Sequence, residues 1–132
     1  MAIFNWHDNY SVKHTVIDNH HKKIIELFNS LYDNFNEQNY DIYGTVLDEL
    51  LAYVDYHFTT EEQYMADINY EGAKNHIHEH RKFTEKLIEL KNSGSDGKNE
   101  NCQELIYYLG FWVLNHETEK DIELIELLVP NK

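Results

Sequence analysis

"NHIHEHRKF", residues 75–83, places three histidines at alternate positions in a segment that reads as helix. An α-helix turns about 100° per residue, so His76 and His80 fall within about 40° of each other while His78 points to the far side. Two neutral imidazoles at i and i+4 on one face can converge on a single cation. A histidine pair on a charged helix is more often solvated surface. The neighbouring positions bear on the choice: Ala73, Phe83, Leu87 and Leu90 continue the stripe that holds His76 and His80, and an apolar stripe of this period is a core face.

The rest of the chain repeats the pattern. One segment, about 18–36, carries Ile24, Ile25, Phe28, Leu31 and Phe35 at three-and-four spacing, with Asp18 placed as its N-cap. A second, about 41–65, repeats Val46, Leu50, Val54, His57, Glu61 and Met65; the "NHIHEHRKF" segment runs over about 71–91. A fourth, about 99–128, uses Leu105, Leu109, Trp112, His116, Ile122 and Ile125. Pro130 is the only proline, so no segment is broken internally. Short joints, with a polar "NSGSDGKNE" loop before the fourth segment, favour antiparallel neighbours. The expected fold is all-α: an up-down-up-down antiparallel four-helix bundle forming one domain over 1–132. Residues 1–17, with Ile3, Phe4, Trp6, Tyr10 and Val12, are too apolar for a free tail and should pack on the bundle as an extended arm.

Composition narrows the function. With 24 acidic against 11 basic residues, the formal charge of −13 argues against binding to nucleic acid or to anionic membranes. No stretch approaches the length of apolar sequence that spans a bilayer. "MAIFNWHDNY" lacks the basic start and long apolar run of a secretory signal, which makes the cytoplasm the expected compartment. The single cysteine, Cys102, excludes an intramolecular disulfide and a cysteine-based zinc site; it reads as a small helix residue. Nine histidines are many for this length.

Several of those histidines interrupt apolar stripes. His57 and Glu61 follow Val54 on the second segment, His21 lies four residues before Ile25, and His116 lies four beyond Trp112. With His76 and His80, five imidazoles and a carboxylate converge from four helices. A buried polar group without a partner costs several kcal/mol, about the whole stability margin if repeated. The set is too large for mutual hydrogen bonding and about right for two metal ions. Imidazole with carboxylate suits iron, manganese or zinc, and the lack of sulfur disfavours copper(I) and iron–sulfur clusters.

At these residues the chain resembles the hemerythrins, in particular the bacterial single-domain bacteriohemerythrins. "IDNHHK", "HFTTEEQYM", "HIHEHRKF" and "WVLNHETEKD" stand in order over nearly the whole length. The resemblance implies two non-haem irons joined by an oxo or hydroxo bridge and two carboxylates, with His21, His57, Glu61, His76, His80, His116 and Asp121 as the metal ligands. It assigns His76, His80 and His116 to one iron and His21 and His57 to the other, which keeps a position open for dioxygen. Glu61 and Asp121 would bridge, and Glu62 would turn outward. Asp121 lies five residues beyond His116, about 140° round a regular helix. Face geometry alone does not select it and leaves a solvated surface acid open; its assignment comes from the resemblance. Phe58, Trp112, Val113 and Ile25 are candidate walls of a dry ligand pocket, and Val113 is smaller than the leucine the family usually offers there. His7, His14, His20 and His78 read as surface histidines off the inward stripes.

The resemblance implies reversible oxygen binding for storage, transport or delivery, without enzymatic turnover; a monomer is the expected state, although no residue pattern fixes it. Sensing of oxygen, redox state or nitric oxide through the same site is the alternative. A di-iron oxidase or peroxidase is disfavoured, because such sites typically use Glu-x-x-His pairs and no glutamate here precedes a histidine by three.

Overall fold

The computed structural model describes residues 4–7, 10–94 and 102–128, with the side chains of 93–94, 116–118 and 128 outside that description. Its elements are α1 (Thr15–Asn36), α2 (Tyr40–Asp67), α3 (Ala73–Gly94), α4 (Cys102–Trp112), a π-helical turn (Val113–Glu117) and α5 (Thr118–Leu128). The last three run on as one fourth helix. α1 packs against α2 and α4, and α3 packs against the same two, which closes a four-helix bundle. The polar layer uses the first halves of α1 and α3 and the second halves of α2 and the fourth helix, as alternating helix directions require.

The apolar stripes are buried as their spacing demands. Phe28 and Leu31 of α1, Leu47, Leu50 and Val54 of α2, Phe83, Leu87 and Leu90 of α3, and Ile106 and Leu109 of α4 form one core. Cys102 is buried in it. A smaller cluster of Val12, Ile17 and Ile125 lies apart, with Tyr64 and Ile122 against it. Neither α1 nor α2 ends on glycine. Gln38 (φ 63°) and Asn69 (φ 51°) supply the left-handed residue that follows each helix.

The amino-terminal arm is fastened at two points. The Asn29 side chain accepts from the Phe4 amide and donates to the Phe4 carbonyl, both at 2.8 Å. The Phe4 ring lies over Gly110, where an added Cβ would sit 2.5 Å from it. Lower down, Asp18 accepts from Val12 N–H at 2.8 Å and from Ser11 Oγ at 2.6 Å.

That last contact corrects the helix start. Asp18 is not the N-cap of α1: the helix begins at Thr15 within the expected arm, and the extended His14 caps it, its Nδ1 accepting from Ile17 N–H at 3.4 Å. Asp18 instead lies in the first turn, where a carboxylate also faces the positive end of the helix dipole. The fourth segment is corrected too. It is not one regular helix over 99–128, because the π turn divides it, and its buried stripe runs through Cys102, Ile106, Leu109 and Val113 while Leu105 and Trp112 are only partly buried.

Candidate metal centre

α1 contributes His21, α2 contributes His57 and Glu61, α3 contributes His76 and His80, and α5 contributes Asp121; all six side chains are buried. The two carboxylates are spread in the same way. Glu61 directs Oε2 toward His57 Nε2 at 3.6 Å and Oε1 toward His76 Nε2 at 3.3 Å and His80 Nε2 at 3.0 Å. Asp121 directs Oδ2 toward His21 Nε2 at 2.7 Å and His57 Nε2 at 3.7 Å, and Oδ1 toward His76 Nε2 at 3.3 Å. Each acid therefore offers one oxygen to the α1–α2 imidazoles and the other to the α3 imidazoles.

Two groups result. His21, His57, Glu61 and Asp121 offer ligand atoms within 4.8 Å of one another, and so do Glu61, His76 and His80. Glu61 belongs to both. His116 lies in the π turn, and its side chain is outside the described residues.

The donor set fits cations better than it fits itself. Burial would raise the Asp121 carboxyl, but hydrogen bonding with the Glu61, His21, His57 and His76 side chains outweighs it and holds the group well below the usual carboxylate range. Two buried acids lie among buried imidazoles, and the ion pairs described for Glu61 and Asp121 are all with histidine. Buried His21 Nδ1 lacks a hydrogen-bond partner among the described residues. Cations bound between the carboxylates would neutralise the acids and use the imidazole lone pairs.

The π turn bears on Asp121. A π turn places more residues in each rotation than an α-helix does, so the phase of α5, and with it Asp121, is shifted relative to the stripe of Cys102, Ile106 and Leu109 on α4. The surroundings also differ from expectation at two positions. Glu62 is partly exposed but does not simply turn outward: its Oε2 lies 2.9 Å from His80 Nδ1. His20 is not a surface bystander. It is only 5% exposed, its Nδ1 lies 3.0 Å from His57 Nδ1, and its ring packs against Tyr53 and Tyr56. Burial, together with His21 and His14, lowers its pKa. A signal existed in the sequence: His20, Ile24, Leu27 and Leu31 keep three-and-four spacing, and Ile17 continues it once the helix is extended back to Thr15. His78 is exposed, as expected.

Aromatic rings close the α3 side. Phe58 stacks on His80 with centroids 3.8 Å apart and planes at 6°, and Phe83 stacks on Trp112 at 5.0 Å. Among the described residues, no helix is long and apolar enough to cross a membrane.

Comparisons with known proteins agree with this arrangement. A family model described as the hemerythrin HHE cation binding domain matches residues 12–128. A bacteriohemerythrin of Clostridium acetobutylicum is 32% identical over 130 residues, covering 94% of this chain and 100% of that protein. A bacteriohemerythrin of Pseudomonas aeruginosa is 30% identical over 126 residues, covering 96% and 82%. Among solved structures, a crystal structure of a hemerythrin mutant superposes with a TM-score of 0.83 at 28% identity, covering 92% of this chain and 94% of that one. A buried, carboxylate-spanned histidine layer in a four-helix bundle, matched along most of its length by these proteins, places the chain in the hemerythrin family.

Proposed function

We propose that the protein binds dioxygen reversibly at a non-haem di-iron centre held by His21, His57, Glu61, His76, His80, His116 and Asp121, for oxygen storage, transport or delivery. The observation that carries the reading is the placement of Glu61 and Asp121, each offering its two oxygens to different imidazole groups. When bound, the iron pair supplies the electrons that dioxygen accepts, one from each ferrous ion.

The chain's own residues have three tasks in this reading. Imidazole Nε2 atoms and the two acids hold the cations. Glu62 accepts the Nδ1–H of His80 and so keeps His80 Nε2 directed at Glu61. Phe58 on His80, with buried Met65 and Val113, limits the approach of water, which favours release of oxygen unchanged over its reduction.

The test is metal content together with the ultraviolet–visible spectrum of the reduced protein, recorded without oxygen, with oxygen and after its removal. About two irons per chain and a band that appears and reverses support a carrier. Irreversible oxidation or sustained oxygen consumption would replace this reading with sensing or oxidase chemistry.

A further inference from the structure

We propose that His20 is a positioning residue for the metal centre: its Nδ1 accepts the Nδ1–H of His57 and fixes His57 in the tautomer whose Nε2 faces the two carboxylates. The inference rests on the metal reading above and adds a residue outside its ligand set.

Two ring nitrogens 3.0 Å apart, His20 Nδ1 and His57 Nδ1, must share one hydrogen, since two would collide and none would leave lone pairs opposed. A neutral imidazole carries a single proton. For His57 to offer an Nε2 lone pair toward Glu61 and Asp121, its proton must sit on Nδ1. His20 must then present a bare Nδ1 and carry its own proton on Nε2. The edge-to-face ring of Tyr53 and the tilted ring of Tyr56, with centroids at 5.6 and 5.0 Å, hold His20 in that orientation.

The partner on the other side of the centre differs in charge. His80 Nδ1 faces the carboxylate of Glu62 at 2.9 Å, whereas His57 Nδ1 faces a neutral imidazole. A carboxylate acceptor makes an imidazole a stronger donor to a metal than a neutral acceptor does. The cation beside His57 is therefore the more weakly held of the two, and His20 sets by how much.

Cobalt(II) is the probe, titrated into metal-free wild type, His20→Ala, His20→Gln and His20→Glu against a competing chelator and followed by cobalt visible absorption. Wild type should take two equivalents of unequal affinity. Removal of the acceptor in His20→Ala should weaken the weaker equivalent about 10- to 100-fold and leave the tighter one nearly unchanged. His20→Gln, with a neutral carbonyl acceptor, should restore it to near the wild-type value, and His20→Glu should tighten it beyond wild type. Equal weakening of both equivalents, or no change in either, overturns the proposal. If His20→Ala does not fold, the glutamine and glutamate variants decide, because equal cobalt affinities in those two contradict an acceptor role. A wild type that takes up no cobalt pair would instead overturn the metal reading itself, and this inference with it.

Discussion

The two ends of the bundle are built from the same helices and hold together for different reasons. At one end Leu31, Leu47, Leu50, Leu90 and Ile106 fill the interior with apolar surface, and burial alone favours their assembly. At the other, seven of the described ionisable side chains, His20 among them, are buried together, and their burial is favourable only with protons or cations among them. The small cluster of Val12, Ile17 and Ile125 is separate from the main core. The difference teaches that the fold can stand on its apolar end while the polar end is kept for chemistry.

The sharpest way to break this contrast is Glu61→Ala. Glu61 belongs to both ligand groups, so the variant should lose paired metal binding, read as metal per chain after desalting, while keeping its helical circular dichroism. Retention of two metals would show that the groups do not depend on a shared acid.

At the apolar end, Leu50→Ala should cost about 2–5 kcal/mol in urea unfolding. The cost should be the same with and without metal. A metal-dependent cost would mean that the two ends are one cooperative unit in a stronger sense than their packing implies.

A third outcome concerns pH. The Asp121 carboxyl titrates below its unfolded value, so in metal-free protein its charged form contributes stability that is present above the ordinary carboxylate range. That contribution is lost as pH falls through the depressed folded value. Metal-free Asp121→Asn should accordingly be less stable than wild type at neutral pH, with the gap narrowing on acidification below about pH 3.9. Urea midpoints across that window would reveal a constant gap if the hydrogen bonds to Asp121 did not favour its charged form.

The smallest expected effect is kinetic. Val113 is buried in the π turn, and Val113→Leu adds one methylene there. Less room beside the site should slow autoxidation of the iron-loaded, oxygenated protein several-fold. An unchanged or faster rate would remove Val113 from the pocket wall.

Most of the helical frame was readable because no internal proline interrupts it and the apolar stripes keep one period over long runs. His57, Glu61, His76 and His80 were readable for the same reason, as polar residues standing in those stripes. Asp121 was not, because angle arithmetic assumes a regular helix and the π turn over Val113–Glu117 breaks that assumption. His20 was passed over because the inward stripe was drawn through His21, Ile25 and Phe28, while a second stripe through His20, Ile24, Leu27 and Leu31 runs beside it. Moving the start to Thr15 depends on His14 as the cap, and histidine is outside the residue types that usually mark one.

The fastening of Phe4 to Asn29 and over Gly110 has a consequence for time rather than for equilibrium. Phe4 and Gly110 stand near opposite ends of the sequence, and the ring can dock only on a surface that α1 and α4 have already made. Phe4→Ala should therefore speed unfolding more than it slows folding, read from the two arms of a denaturant chevron; equal changes in both rates would place the docking before the folding barrier. On that expectation the arm is a latch, setting how long an assembled bundle persists before it opens.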